Sequence, residues 1–162
     1  MTSKEYNRVV DEWADGVFRF IHKNLANEDD ARDVVQNAFA ILWKNHEQVQ
    51  FEKAKSYLFS TAYHNMIDFI RRRKKMEYVE EIEEGAKGAT AEMQVDVKEA
   101  IEKALTKLPE VQKNCILLRD YEGYDYKEIG ELLNLSESQV KVYIFRARQT
   151  LKNYLVSIHH LV

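Results

Sequence analysis

The chain has 162 residues, of which 45% are hydrophobic and 31% are charged, so it can form one ordinary domain or two small ones with real cores. It contains one Pro and five Gly, which permits long helices, and its single cysteine, Cys115, excludes an intrachain disulfide and a multi-cysteine zinc site. No apolar run approaches a membrane span and the N-terminus MTSKEYNRVV lacks a signal peptide, so we expect a cytoplasmic protein without direct membrane insertion.

Three amphipathic helices are predicted before residue 77, because apolar residues recur at helical spacing in three segments. Asn27 is the expected N-cap of the second, and the third is expected to run from about residue 56 to residue 75. The apolar positions are Val10, Trp13, Val17, Phe20 and Ile21 in the first, Ala31, Val34, Val35, Ala38 and Leu42 in the second, and Leu58, Ala62, Met66 and Phe69 in the third.

The third predicted helix ends in five consecutive cations, Arg71 to Lys75. A basic run at a helix C-terminus complements the helix dipole, but five cations exceed that need. Aromatic and amide side chains lie just upstream and are able to stack on or hydrogen-bond unpaired bases, although aromatic residues at this spacing equally suit a protein core. They are Tyr57, Phe59, Tyr63, His64 and Asn65.

Residues 77–97 hold one basic and seven acidic side chains, with Gly85 and Gly88 and little periodicity. This composition predicts a flexible acidic linker between two domains, with a solvated loop as the alternative. The flanking segments are close to neutral. Nonspecific DNA affinity depends on phosphate neutralisation, so we expect the free chain to bind DNA weakly and to need a partner there.

After the linker, Val97, Ile101, Ala104 and Leu108 predict a helix that stops near Pro109, which then opens the next helix in its first turn. Gly123 is expected to close that second helix. Cys115 falls on its apolar face, which favours a buried structural thiol over a nucleophile. Residues 98–162 therefore predict a compact domain of four helices.

Residues 125–155 are typical of a helix-turn-helix. Asp125 is followed by Glu128 and Ser136 by Gln139, and each pair has the spacing of a helix N-cap. The turn between the two helices is predicted at residues 134–136. The inner face is formed by Ile129, Leu132 and Leu133 in the first helix and by Val140, Ile144, Ala147, Leu151 and Leu155 in the second.

The second of these helices is basic, and no Asp or Glu occurs from Ser138 to Val162. Its outer side chains combine cations that seek phosphates with groups able to touch base edges, which favours DNA binding. The alternative is a pair of amphipathic helices whose charges only solvate a surface. The outer residues are Gln139, Lys141, Tyr143, Arg146, Arg148 and Lys152.

In order, the chain has DARDVVQNAFAILW, YLFSTAYHNMIDFIRRRKK, the acidic linker, LPEVQKNCILLRDYEGYDYKEIGELLNLS and a basic last helix. This order closely resembles the small two-domain bacterial sigma factors of the extracytoplasmic-function (ECF) class, over about residues 6–155. The resemblance implies a sigma region 2-like domain at 1–76, a linker at 77–97 and a region 4-like domain at 98–162. Together these form an all-α protein of two small helical domains.

In the first domain, the resemblance implies a polymerase contact. Asp33 and Gln36 match the family's Asp-x-x-Gln, which docks on the clamp helices of the largest polymerase subunit. Asn37 stands beside them where the family commonly has Glu.

The third helix resembles the element that melts and captures the minus-10 strand. Asp68, Arg71 and Arg72 match the family's Asp-x-x-Arg-Arg, and the family's usual Asn falls on His64, with Asn65 next to it. Either of these two residues is a candidate to meet a flipped base.

In the second domain, the resemblance implies that the last helix enters the major groove of the minus-35 element. Val140, Lys141, Arg146 and Arg148 fit the family's Val-Lys and Arg-x-Arg spacing, and Ser138 and Gln139 replace its frequent Gly-Thr. The implied partners are core RNA polymerase, promoter DNA and an anti-sigma factor. No cofactor, metal or small-molecule substrate is implied, and no covalent chemistry.

Two other functions fit parts of the sequence. A stand-alone helix-turn-helix regulator would bind DNA without polymerase, usually as a dimer on paired half-sites. A metal-dependent enzyme would use the histidines, but no pair has ligand spacing with a carboxylate partner. Those histidines are His22, His46, His64, His159 and His160.

Overall fold

The computed structural model of the chain describes the backbone of residues 1–84 and 97–160 and the side chains of residues 1–77 and 97–157. Every regular element in these ranges is helical, which confirms the predicted all-α class. The chain divides into two compact units, one with three α-helices and one with four. None of the described helices is both long and apolar enough to cross a membrane.

The first unit consists of α1 (Ser3–Asn24), α2 (Glu28–Lys44) and α3 (Ala54–Glu84), with a short 3-10 turn at Phe51–Lys53. A capping box starts α1: the Glu5 N–H donates to Thr2 Oγ1 at 3.1 Å and the Thr2 N–H donates to Glu5 Oε1 at 2.8 Å. Asn27 caps α2 as predicted, because its Oδ1 accepts the Asp30 N–H at 3.1 Å. Both caps satisfy N–H groups that have no partner inside the helix.

The three helices of this unit bury the predicted apolar stripes against one another. In α1 the buried stripe is rotated slightly from the prediction, since Val9 is buried while Val10 and Trp13 are half-buried. In α3, Phe69 was predicted to face inward and is half-buried. The buried core residues from the predicted stripes are Val17, Phe20, Ile21, Ala31, Val34, Val35, Ala38, Leu42, Leu58, Ala62 and Met66.

Helix α3 is longer than predicted at both ends and continues to Glu84, through the first part of the segment predicted to be a linker. The acidity of residues 77–84 suggested a linker, but these residues include no Gly or Pro, and Glu is a good helix former. Arg73 Nε lies 3.3 Å from Glu77 Oε1, one helical turn on, and this pair joins the basic run to the acidic one. The remainder of the predicted linker, 85–96, lies outside the described residues.

The second unit consists of α4 (Val97–Thr106), α5 (Glu110–Ile116), α6 (Tyr126–Leu133) and α7 (Glu137–His160). Pro109 is the N-cap of α5 rather than a residue of its first turn, so the helix begins one residue later than predicted. A π-helical turn at Leu117–Tyr121 extends α5, and Gly123 follows with a φ of 75°, which glycine adopts without strain. The predicted arrangement of four helices is confirmed, and the π-helical turn was not predicted.

Helix α7 is the centre of the second unit and packs against α4, α5 and α6. Val97, predicted to be part of the α4 stripe, is instead exposed, and Ala100 and Leu105 are buried. Cys115 is fully buried, and burial raises the pKa of its thiol to about 12, as expected for a structural thiol. The buried residues around α7 include Ala104, Leu108, Ile116, Leu118, Ile129, Leu132, Val140, Ile144 and Ala147.

The turn of the helix-turn-helix lies at residues 134–136, as predicted. Asn134 adopts the left-handed conformation with a φ of 58°, and the Leu135 N–H donates to the Gly130 carbonyl at 2.8 Å. A Cβ atom on Gly130 would lie 2.6 Å from the Leu135 backbone oxygen. The absence of a side chain at residue 130 therefore allows the turn to close this tightly.

We expect Gly130→Ala to destabilise the second unit. Helix propensity alone would favour Ala by about 1 kcal/mol, but the added methyl overlaps a backbone oxygen, and overpacking of this kind costs about 1 to 3 kcal/mol. Urea unfolding should show a loss of stability, whereas Glu131→Ala, at the exposed neighbouring position, should change it by less than about 0.5 kcal/mol. Equal or greater stability of the Gly130→Ala variant would contradict the close packing of the turn.

Candidate nucleic-acid interface

The outer face of α7 carries the residues that were predicted to contact an upstream DNA element. Ser138, Gln139, Lys141 and Arg146 are exposed, and Tyr143 is half-buried. Their exposure follows from the burial of the opposite stripe against the other helices of the unit. The helix begins at Glu137, so its first turn contains one acidic residue, which suits the positive end of the helix dipole.

A complete capping box fixes the start of α7. The Gln139 N–H donates to Ser136 Oγ at 3.1 Å, and the Ser136 N–H donates to Gln139 Oε1 at 2.9 Å. The side-chain oxygen of Gln139 is thus committed to the cap, and its NH₂ group remains as the donor available to a ligand.

Two cations on α7 are held weakly or not at all. Lys141 Nζ lies 3.9 Å from Glu137 Oε1 and 5.7 Å from the centre of the Tyr126 ring. An exposed pair of this length contributes little stability, so Lys141 can exchange Glu137 for another anion. Arg146 has no ion-pair partner within the described parts of the chain.

Arg148 differs, because it is bound within the unit. Its Nη2 and Nε atoms lie 2.7 Å and 3.4 Å from the two carboxylate oxygens of Asp120, which is in the π-helical turn. These hydrogen bonds raise the pKa of the Arg148 guanidinium. The pair ties α7 to the end of α5, so Arg148 has a structural role that the spacing of the basic residues did not reveal.

Two apolar residues also lie on the outer face of α7 and were not predicted as site residues. Val142 and Phe145 have exposed fractions of 43% and 67%. The helical period would have identified them, because both fall opposite the buried Val140, Ile144 and Ala147.

In the first unit, Asp33, Gln36 and Asn37 are all exposed on α2, opposite its buried stripe. The structure therefore brings the three predicted polymerase-binding residues onto one surface. Polar side chains in this position leave the packing of the unit undisturbed and remain available to a protein partner.

A groove of about 730 Å³ lies next to this surface, between α1 and α2, and was not predicted. The Tyr6 hydroxyl donates to the Phe39 carbonyl at 3.1 Å across it, and Trp43 stacks on His46 with ring centres 4.2 Å apart. The groove is lined by Ser3, Tyr6, Asn7, Val10, Gln36, Phe39, Ala40 and Trp43.

The aromatic residues of α3 divide between the core and the surface. Phe59 is 1% exposed and its ring centre lies 6.2 Å from that of Phe20, so its prediction as a base-stacking residue is corrected: it is a core residue. Tyr63 is half-buried, with its ring 6.5 Å from Phe20. Tyr57 is half-buried, and its hydroxyl accepts a hydrogen bond from Asn45 Nδ2 at 2.9 Å.

His64 is the exposed member of the His64 and Asn65 pair. Its Nδ1 lies 2.7 Å from the Ser60 carbonyl, which is an acceptor, so Nδ1 donates this hydrogen bond and Nε2 is left as the other hydrogen-bonding atom of the ring. The Asn65 side-chain nitrogen is buried and has no hydrogen-bond partner in the described structure. His64 is therefore more accessible to an external ligand than Asn65.

The basic residues at the end of the predicted third helix also differ in their contacts, since one is bound within the unit and others are exposed. Arg73 Nη1 lies 2.9 Å from Asp30 Oδ2 on α2, and its guanidinium lies over the Phe69 ring, so this cation helps to hold α3 in place. Asp68, Arg71 and Arg72 are exposed, and among the described residues Arg72 Nε reaches only the Asp68 carbonyl, at 3.4 Å. Arg71 and Arg72 thus remain available to phosphates.

Two known families match the chain, one in each unit. Sigma-70 region 2 matches residues 9–76 and Sigma-70, region 4 matches residues 98–151. The chain is 27% identical over 150 residues to the ECF RNA polymerase sigma factor SigM of Bacillus subtilis, covering 90% of this chain and 92% of SigM. It is 26% identical over 162 residues to SigW of the same organism, covering 91% of this chain and 87% of SigW.

Two solved structures share the fold. The sigma factor RpoE in its complex with the anti-sigma factor NepR from Bartonella quintana has a TM-score of 0.76 at 19% identity, covering 94% of this chain and 97% of RpoE. CnrH in complex with the cytosolic domain of CnrY has a TM-score of 0.72 at 21% identity, covering 96% of this chain and 90% of CnrH. The chain therefore carries both sigma-70 regions in order and is homologous to the ECF sigma factors SigM and SigW over most of its length.

Proposed function

We propose that this protein binds core RNA polymerase and directs it to specific promoters. The observation that carries the proposal is the presence of both sigma-70 regions in one chain, each on a unit with an exposed polar surface suited to its role. The protein performs no covalent chemistry in this function and needs no cofactor. It works in the cytoplasm, where the polymerase and the chromosome are.

The second unit recognises the minus-35 element by placing α7 in the major groove. Helix N-termini attract phosphates, and a major groove about 12 Å wide admits one α-helix. The DNA-contacting residues in this proposal are Ser138, Gln139, Lys141, Tyr143, Arg146 and Arg148. Arg148 is bound to Asp120, so it either releases Asp120 to contact DNA directly or contributes indirectly by holding α7 in place.

The first unit recognises and opens the minus-10 element along α3. Exposed His64 is the residue that meets an unpaired base, and Arg71 and Arg72 hold the backbone of the strand. Extracting a base costs a few kcal/mol and stacking returns about 1 to 3 kcal/mol per base, so opening is nearly balanced and depends on the polymerase. The remaining contacts in the proposal are Tyr57, Tyr63, Asn65 and Asp68.

The polymerase contact lies on α2. Asp33, Gln36 and Asn37 present a carboxylate and two amides, and Gln36 also lines the adjoining apolar groove. A polar surface beside an apolar groove suits a partner helix that carries both cations and apolar side chains.

An anti-sigma factor is the proposed inhibitor of this protein. The fold is shared with RpoE, which was crystallised with the anti-sigma factor NepR. An inhibitor of this kind would cover surfaces that DNA and polymerase need.

We also propose the functional boundaries 1–76 and 98–162 for the two DNA-reading domains, with 77–97 between them.

Promoter-specific transcription is the direct test. The purified chain and core polymerase, supplied with a library of genomic fragments, should yield transcripts whose start sites share two upstream elements. Absence of such transcripts from a folded chain would refute the proposal. Tight, specific binding of DNA by the chain alone, as a dimer on paired half-sites, would instead indicate a stand-alone regulator.

Asp33→Ala should weaken binding to core polymerase by about 1 to 3 kcal/mol, because it removes an exposed carboxylate from the proposed contact. Asp11→Ala, which removes an exposed carboxylate from α1 of the same unit, is the matched control and should leave the affinity unchanged. Fluorescence titration with labelled polymerase would measure both. Equal effects of the two substitutions would remove Asp33 from the interface.

The role of Arg148 can be separated from that of a direct DNA contact by comparing Arg148→Ala with Asp120→Ala. If Arg148 acts by holding α7, both substitutions remove the same ion pair, so they should lower promoter affinity by similar amounts and the double substitution should add nothing. If Arg148 contacts DNA, Asp120→Ala should preserve or raise affinity while Arg148→Ala lowers it. Affinity of the polymerase complex for a promoter with an intact minus-35 element is the measurement.

A further inference from the structure

Val142 and Phe145 form an exposed apolar pair in the middle of a basic helix surface. Single exposed apolar side chains are common in proteins and need no explanation. These two are three residues apart on the same face of α7, where a helix places neighbours side by side, and they are 43% and 67% exposed. No acidic residue occurs from Ser138 onward, so the surface around the pair is suited to a polyanion.

The helical period places the pair between two cations. Each residue turns the helix by about 100°, so Val142 and Phe145 point away from the core while Lys141 and Arg146 flank them on opposite sides, about 140° apart. The outer face of α7 therefore has an apolar centre and a cation on each flank.

This arrangement matches the cross-section of a DNA major groove. When a helix lies in the groove, its flanks face the two phosphate backbones and its centre faces the base edges. The C5-methyl group of thymine is the apolar feature that base pairs present there. A cytosine or adenine amino group facing Val142 or Phe145 would instead lose its hydrogen bonds to water.

We propose that Val142 and Phe145 read thymine C5-methyl groups in the upstream promoter element, while Lys141 and Arg146 hold the phosphates on either side. The inference rests on the proposed promoter-binding function and specifies a base that the promoter contains. Three residues of helix advance about 4.5 Å, and neighbouring bases on one strand are about 3.4 Å apart. The two side chains therefore face thymines at adjacent base pairs, on the same or opposite strands.

Replacing thymine with uracil tests the proposal, because uracil removes only the methyl group and keeps every hydrogen-bonding atom. The complex of the full chain with core polymerase is first used to select upstream elements from a randomised promoter library. Each selected thymine is then replaced in turn by deoxyuridine, and promoter affinity is measured. We expect two adjacent positions at which the replacement lowers affinity by about fourfold each, the effect of burying one methyl group.

The substitutions Val142→Ala and Phe145→Ala assign each methyl group to its side chain. Each variant should lose the response to uracil at one position, so that its thymine and uracil promoters bind equally. Val156→Ala is the matched control, since Val156 lies further along α7 with a similar exposed fraction of 47%. It should keep the full fourfold response at both positions. Arg146→Ala should weaken binding to thymine and uracil promoters by the same factor, as expected for a phosphate contact.

Two results would overturn the inference. One is a selected element without thymine in the region bound by α7. The other is a uracil response that is absent, or that persists unchanged in both Val142→Ala and Phe145→Ala. Either result leaves the proposed function standing as long as the complex selects promoters, whereas failure to select any element counts against the proposed function itself.

Discussion

The burial of one stripe of α7 determines the surface that the second unit presents. Val140, Ile144 and Ala147 pack against the helices around them and are almost completely removed from solvent. Burying side chains of this size contributes several kcal/mol, which is far more than any single surface contact of this helix. The rotation of α7 is therefore set by its core contacts. Every outward-facing residue, including Val142, Phe145 and the flanking cations, takes its direction from that rotation.

The turn before α7 determines where this helix begins, as the core contacts determine its rotation. Gly130 allows the backbone at Leu135 to approach closely, Asn134 turns the chain, and the capping box of Ser136 and Gln139 defines the first turn. The pair of Asp120 and Arg148 connects α7 to the π-helical turn further along. Helix α7 is thus fixed by its buried face, by its N-terminal cap and by the ion pair of Arg148. A helix fixed in this way presents its side chains to a ligand already ordered, so binding does not cost the conformational entropy of ordering it.

The features that could be predicted from the sequence are those specified by residues close together in the chain. The helix-turn-helix combines two N-caps, a short turn and apolar residues at helical spacing, and each of these is a local signal. The features that could not be predicted are those that a distant residue decides. Phe59 is in the core because Phe20 packs on it, and Arg148 is engaged because the fold brings Asp120 to it. Neither contact has a local signature, and the acidic composition concealed the continuation of α3.

The near-neutral charge of the second unit is consistent with a promoter reader that, as proposed, uses both units together with the polymerase. Few cations on α7 are available to neutralise phosphates, so we expect the electrostatic affinity of this unit alone to be low at physiological salt. The proposed contact with one thymine methyl group would add about a factor of four, which cannot by itself select one site in a chromosome. Joining two weak readers in one complex raises their combined affinity by about 10² to 10⁴ without any new contact. Selectivity then depends on both elements occurring together on the DNA, and a protein that read either element tightly alone would stall at partial sites.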